Sequence, residues 1–203
     1  MISKITSIPQ NKTRKIPNQL IREKLQGKSL YYKGYKDVLL GNKQIEEITG
    51  SSSLQSILVM ALGYFIKHRL DKAKYWLATN EVGLHLGHKN NLSTDLGIFL
   101  KEKVTLNDRY FSVAPEIAIE IDVKIETDRE LDYIFSKSEE MMAFGTQKIL
   151  WIITKHKKIF IIAKNQTTQI VEWDKDIELM NEMPQLPLIL NLKQLLEEEG
   201  MEY

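Results

Sequence analysis

"VAPEIAIEIDVKIE", Val113 to Glu126, is the stretch on which the fold turns. Ile117, Ile119, Ile121 and Val123 alternate with Glu116, Ala118, Glu120, Asp122 and Lys124, the period of two that turns one face of a β-strand to a core. The opposite face is harder to explain. Thr, Lys, Arg or Gln would suit a solvated strand better, because carboxylates two residues apart on one face repel each other. Glu120 and Asp122 therefore ask for a partner elsewhere in the chain.

On either side of this strand the pattern continues. "AKYWLATNEVGLHLG" and "LSTDLGIFL" precede it as strands, "KILWIIT" and "KIFIIAK" follow around a short polar turn, and "TTQIVEW" adds another. A helix is expected from about Leu131 to Phe144, closed by Gly145 in the usual position after a helix end. Leu54, Ile57, Leu58, Ala61 and Phe65 recur at helical spacing behind Ser51, Ser52 and Ser53, so the serine run reads as a helix cap. No "GxSxG" elbow accompanies it to make a nucleophile. Nearer the start, a short helix is expected over Gln19 to Leu25, and "YKDVLLGNKQIEEITG" reads as a strand pair turning at Gly41-Asn42. The chain closes in the helix "NLKQLLEEE". Strands surrounding helices in this way argue for an α/β or α+β sandwich. At 203 residues, one domain spanning 1–203 is expected, with residues 1–17 as an irregular arm.

Composition removes several chemistries. The chain has no cysteine, which excludes disulfides, thiolate nucleophiles and zinc ribbons. The start "MISKITSIPQNKTRKIPNQ" lacks the apolar run of a signal peptide, and no apolar stretch is long enough to span a bilayer. A cytoplasmic protein without membrane contact is the expectation. The net charge of +1 hides a basic N-terminal region, Lys4 to Lys43, and an acidic "LLEEEGMEY" tail. A basic region of this kind either engages phosphates or is simply solvated. There is no "GxxxxGK[ST]" loop for a nucleotide. His85 and His88 diverge on a strand and turn, and Trp76, Trp151 and Trp173 lie in apolar strand patterns as core residues.

The acids remain. On the strand from Leu92 to Leu100, Asp95 alternates with Leu96, Ile98 and Leu100 and shares its face with Gly97 and Phe99. Set beside the strand of Glu120 and Asp122, it would gather three carboxylates. Like charges held together raise one another's pKa and cost stability unless a cation neutralises them. Oxygen ligands of this type suit Mg²⁺ or Mn²⁺. A nearby lysine would then fit a hydrolase, and Lys124 on the same strand and Lys137 on the following helix are both candidates.

"STDLGIFL", then "PEIAIEIDVK", then a helix with "KSEEMMAFG" leading into "TQKILWII", resembles the Uma-type family of restriction-endonuclease-like proteins within the PD-(D/E)XK nuclease superfamily. The resemblance covers roughly residues 30 to 196 and implies a restriction-endonuclease-like mixed sheet flanked by helices. Asp95 matches the family's "PD" aspartate, with Thr94 in place of the proline, and Glu120 matches the strand glutamate. Asp122 stands where the superfamily places its lysine. Lys137 matches the helix lysine by its distance from Gly145, although three more residues separate it from Glu120 than the family pattern has, so Lys124 stays a rival. Glu47 is a possible outer acid. The resemblance implies Mg²⁺ or Mn²⁺ on Asp95, Glu120 and Asp122, DNA as substrate, and a homodimer. A hydrolase cutting DNA phosphodiesters is the leading expectation. The alternative is a non-catalytic, dimeric binding or accessory protein that keeps the nuclease fold, supported by the near-neutral charge and the missing "ExK".

Overall fold

The computed structural model describes residues 16–180 and 187–202, so nearly all of the expected N-terminal arm lies outside the described residues. The decisive stretch forms β5 (Ile117–Asp122), which lies antiparallel to β4 (Asn90–Leu100) on one side and parallel to β6 (Lys148–Ile153) on the other. Parallel neighbours cannot be joined by a tight turn and need a crossover. That crossover is α4 (Asp128–Phe144). Thr127 and Glu130 form a reciprocal capping box at its start, and Gly145 closes it at φ +134°, a conformation that side chains rarely adopt.

Seven strands run in the order β2, β1, β4, β5, β6, β7, β8, and β3 pairs with β4 off that path. The remaining members are β1 (Ile21–Leu25), β2 (Lys28–Tyr31), β3 (Tyr75–Gly87), β7 (Lys158–Ala163) and β8 (Gln169–Glu172). β9 (Ile177–Met180) and β10 (Leu188–Leu190) make a separate two-stranded sheet that the sequence pattern did not announce. Helices cover both faces of the large sheet. On one, α3 (Ser53–Arg69) and α5 (Leu192–Glu198) pack on Leu96, Ile98, Ile117, Ile119, Ile121, Leu150 and Ile152. On the other, α4 brings Ile134 and Met141 against Phe99, Ala118, Ile149, Trp151 and Ile153. The expected mixed sheet flanked by helices is thus what forms. Ser52 caps α3 as expected, accepting the Gln55 N–H at 3.2 Å. No helix among the described residues is long and apolar enough to cross a membrane.

Two expectations near the start give way. Gln19 to Leu25 is not a helix: a 3-10 turn (Asn18–Leu20) leads straight into β1. Local propensity in "QLIREKL" favours helix, but pairing with β2 and β4 overrides it, as tertiary contacts do for short segments. "YKDVLLGNKQIEEITG" holds two short helices, α1 (Tyr35–Leu39) and α2 (Glu46–Thr49), instead of a strand pair. Gly41 does take a positive φ of 78°, but it follows a helix end, a position that wants the same backbone as a hairpin turn.

Candidate active site

The site arises where β4 leaves β5. Their ladder stops at Leu96 opposite Ile119, and farther along β4 meets β1 at Asn91. A bulge in β3 causes the departure: Asn80 and Glu81, both with positive φ (73° and 52°), lie opposite Asp95 alone. Strand β3 keeps its alternation across the bulge and β4 does not, so Leu92 and Leu96 end in opposite cores. Side chains then replace the missing ladder bonds. Thr94 donates through Oγ1 to the Ile119 carbonyl at 3.1 Å, and Asp95 Oδ2 accepts the Ile121 N–H at 2.7 Å. On the β1 side, Glu23 Oε1 accepts both the N–H and the hydroxyl of Ser93, at 3.0 and 2.9 Å. Polar side chains are thereby fixed in the fork between β1 and β5.

Lys137 enters this fork from α4, fully buried. Its Nζ donates to Glu23 Oε1 at 2.8 Å and lies 3.0 Å from Glu120 Oε1. The second contact is poorly aligned, and Glu120 Oε1 is buried with no hydrogen bond. The two carboxylates therefore differ. Burial works to raise the Glu23 pKa, yet the charges of Lys137 and Arg22 and the hydroxyl of Tyr133, 2.6 Å from Oε2, hold it down at about 2. For Glu120 burial wins over Lys137, with Asp95 and Glu23 adding repulsion, and its pKa is pushed up to about 8. Burial alone would lower the Lys137 pKa, but the carboxylates of Glu120 and Glu23 raise it. Glu23, Glu120 and Lys137 therefore titrate as one coupled group, in which Glu23 holds the aligned bond to the ammonium. Asp95 is shifted up, chiefly by burial and against the Ile121 N–H.

Asp95, Glu120 and Asp122 line one pocket of about 130 Å³, together with Arg22 and Gln55. Lys137 touches Glu120 directly, whereas Lys124 pairs with Glu126 at 2.6 Å and does not line the pocket. Glu47 is exposed and accepts the Gln44 N–H at the start of α2. Four members, Arg22, Glu23, Tyr133 and Gln55, escaped the sequence reading, Arg22 standing there only as one charge of the basic N-terminal region. Glu23 shares its strand face with Leu25, both buried, and would have shown as an acid in an apolar column had "IREKL" been read as a strand. Tyr133 lies four residues before Lys137, one helical turn away on the same face. Gln55 carried no signal, being a neutral amide in the first turn of a capped helix.

The donor set suits a hard divalent cation. Gln55 Nε2 already stands between two oxygens, 3.2 Å from Asp95 Oδ1 and 3.3 Å from the Ile121 carbonyl. Glu120 adds a buried oxygen without a hydrogen bond. Five carboxylates, those of Glu23, Glu81, Asp95, Glu120 and Asp122, face the three cations Arg22, Lys33 and Lys137. Ionised, they leave an excess of two negative charges, which one divalent ion would balance. Among the described residues no three Asp, Glu, His or Cys side chains form a group that could hold a metal ion, so a backbone carbonyl would have to complete the set.

No protein-family model matches the sequence, and no curated protein matches it. Among solved structures, one from Anabaena variabilis described as "a putative nuclease belonging to DUF820" is similar over 86% of this chain and 89% of its own, with a TM-score of 0.64 and 16% sequence identity. At that identity the likeness is one of fold. The chain has a nuclease-like α/β architecture, a large and mostly antiparallel sheet flanked by helices.

Proposed function

We propose that this chain is a metal-dependent endonuclease that hydrolyses DNA phosphodiester bonds on the PD-(D/E)XK plan, with the motif order of the Uma-type family. One observation carries the reading: two strands that part at a fork bring Asp95 and Glu120 to one pocket, with a buried lysine against Glu120. Asp95, Glu120 and the Ile121 carbonyl would hold Mg²⁺ or Mn²⁺, with Asp122 half-buried at the rim. Such an ion supplies Lewis-acid polarisation of a phosphoryl oxygen.

The chain's own groups do the rest. Lys137 keeps its proton, so it acts as a fixed positive charge and not as a base. Preorganised charge of this kind stabilises the extra negative charge of phosphoryl transfer. Glu23, through Lys137 and Ser93, fixes where that charge sits. Arg22, exposed at the mouth, suits a bidentate grip on a phosphate.

A second reading, a non-catalytic binding protein of the same fold, is favoured by the complete burial of Lys137 and Glu120. Cleavage assays separate the two. Wild type with Mg²⁺ or Mn²⁺ should cut DNA, Glu120→Gln and Asp95→Asn should not, and Lys124→Ala should cut like wild type. A wild type inert on every DNA form with either metal would leave the binding protein standing.

A further inference from the structure

We propose that the groove between α3 and the edge strand β3 is a subsite for an unpaired nucleobase of the substrate strand, next to the phosphate to be cut. The proposal rests on the nuclease reading and adds the substrate class: single-stranded DNA, or a duplex with frayed or extruded bases.

The groove has a volume of about 550 Å³, within the range of small-molecule sites. It is continuous with the acid pocket, since Ser51, Glu81 and Asp95 line both. The bulge at Asn80 and Glu81 forms part of the shared wall, and strained backbone of this kind collects at functional sites. Along the groove Val59, Met60 and Leu77 supply apolar walls. Tyr64 and His68 follow, one helical turn apart, with ring centroids 4.0 Å from each other. Met60, 68% exposed, and Tyr64, 55% exposed, one helical turn apart, make a contiguous apolar stretch of α3 along the groove, the kind of patch that marks interaction sites.

A nucleobase matches what the groove offers. Apolar walls and an aromatic face accept any base by stacking. Lys67 lines the same groove and would offer its cation to a phosphate of the strand whose base sits there. A base still paired inside a duplex cannot turn sideways into the groove, so the occupant is unpaired. A second copy of the chain seated here would cover Asp95 and close the pocket that the groove feeds.

The test is binding, read by fluorescence with 2-aminopurine placed in a single strand and in a matched duplex, in Ca²⁺ so that cutting is slow. Wild type should favour the single strand and quench the probe. Tyr64→Ala should lower the single-strand-to-duplex preference about tenfold, the scale of one base stack, and Tyr64→Phe should restore it. Lys67→Gln should reduce the salt slope of single-strand binding by about 0.7, the share of a single neutralised phosphate. An unchanged preference in Tyr64→Ala overturns the proposal, and if wild type still cuts DNA the nuclease reading survives. A wild-type dimer that Met60→Arg splits in sedimentation overturns the proposal as well, since it would make this face an interface between copies. A wild type that neither binds nor cuts any DNA would end both readings.

Discussion

The two faces of the central sheet are built on different terms. Toward α3 and α5, β5 contributes Ile117, Ile119 and Ile121 to a core of aliphatic side chains. Toward α4, the same strand contributes Ala118 and then Glu120, which joins Lys137, Glu23 and Tyr133 inside a core of Trp151, Phe99 and Met141. One face gains stability from burial alone. The other spends it, because desolvating ions costs more than most pairs return. The strand is equally buried on both sides yet polar on only one, a difference that stability by itself does not favour, and the acid pocket lies at the end of that polar side.

The largest effect that would sharpen this contrast is on stability. Lys137→Ala leaves Glu23 buried without its cation and should cost roughly 3–5 kcal/mol, whereas Ile119→Val on the apolar face should cost about 0.5–1.5 kcal/mol. Urea denaturation of both variants gives the comparison. Equal costs would mean that the polar cluster is an ordinary piece of core.

A pH series probes the same asymmetry. Glu120 binds its proton more tightly folded than unfolded, so its contribution is complete below the ordinary carboxylate pKa and is lost as pH rises toward about 8. Glu23 does the opposite: its contribution is present above the ordinary value and is lost as pH falls toward about 2. Metal-free melts should therefore decline between about pH 5 and 8, and Glu120→Gln should flatten that decline. Because a bound cation needs Glu120 ionised, metal affinity should rise through the same window.

Smaller changes follow at the edge of the site. Gln55→Glu sets a carboxylate beside Asp95, so it should lower metal-free stability and raise affinity for Mn²⁺ in calorimetric titration. Gln55→Leu should cost about 1 kcal/mol for the missing bonds to Asp95 and Ile121. Ser52→Ala, which uncaps α3 at the Gln55 N–H, should cost about 1 kcal/mol in the same urea series.

Much of this was legible in the chain because it is local. Alternation in "PEIAIEIDVK", the capped helix ending at Gly145 and the "KILWII" strand each carry their own signal, and their order placed Asp95, Glu120 and Lys137 together. What stayed hidden depends on pairing between distant segments. Strict alternation gives Asp95 to the face of Gly97 and Phe99, and only the Asn80–Glu81 bulge on the neighbouring strand turns it into the fork. Glu23 was missed with its strand, since "QLIREKL" becomes β-structure only when β2 and β4 are beside it. Lys124 and Lys137 could not be ranked by spacing, because what separates them is burial: one lies half-buried on Glu126, the other fully buried on two carboxylates.

The claim that the polar face exists to hold a cation is tested most directly by thermal melts of wild type and Asp95→Asn, each with and without Mg²⁺. Asp95→Asn relieves like-charge repulsion, so without metal it should melt at or above wild type. At about 100 times its Kd, Mg²⁺ should stabilise wild type by roughly 2.7 kcal/mol and Asp95→Asn by little. Equal responses of the two proteins to metal would contradict the account and make Asp95 a structural anchor for the Ile121 N–H.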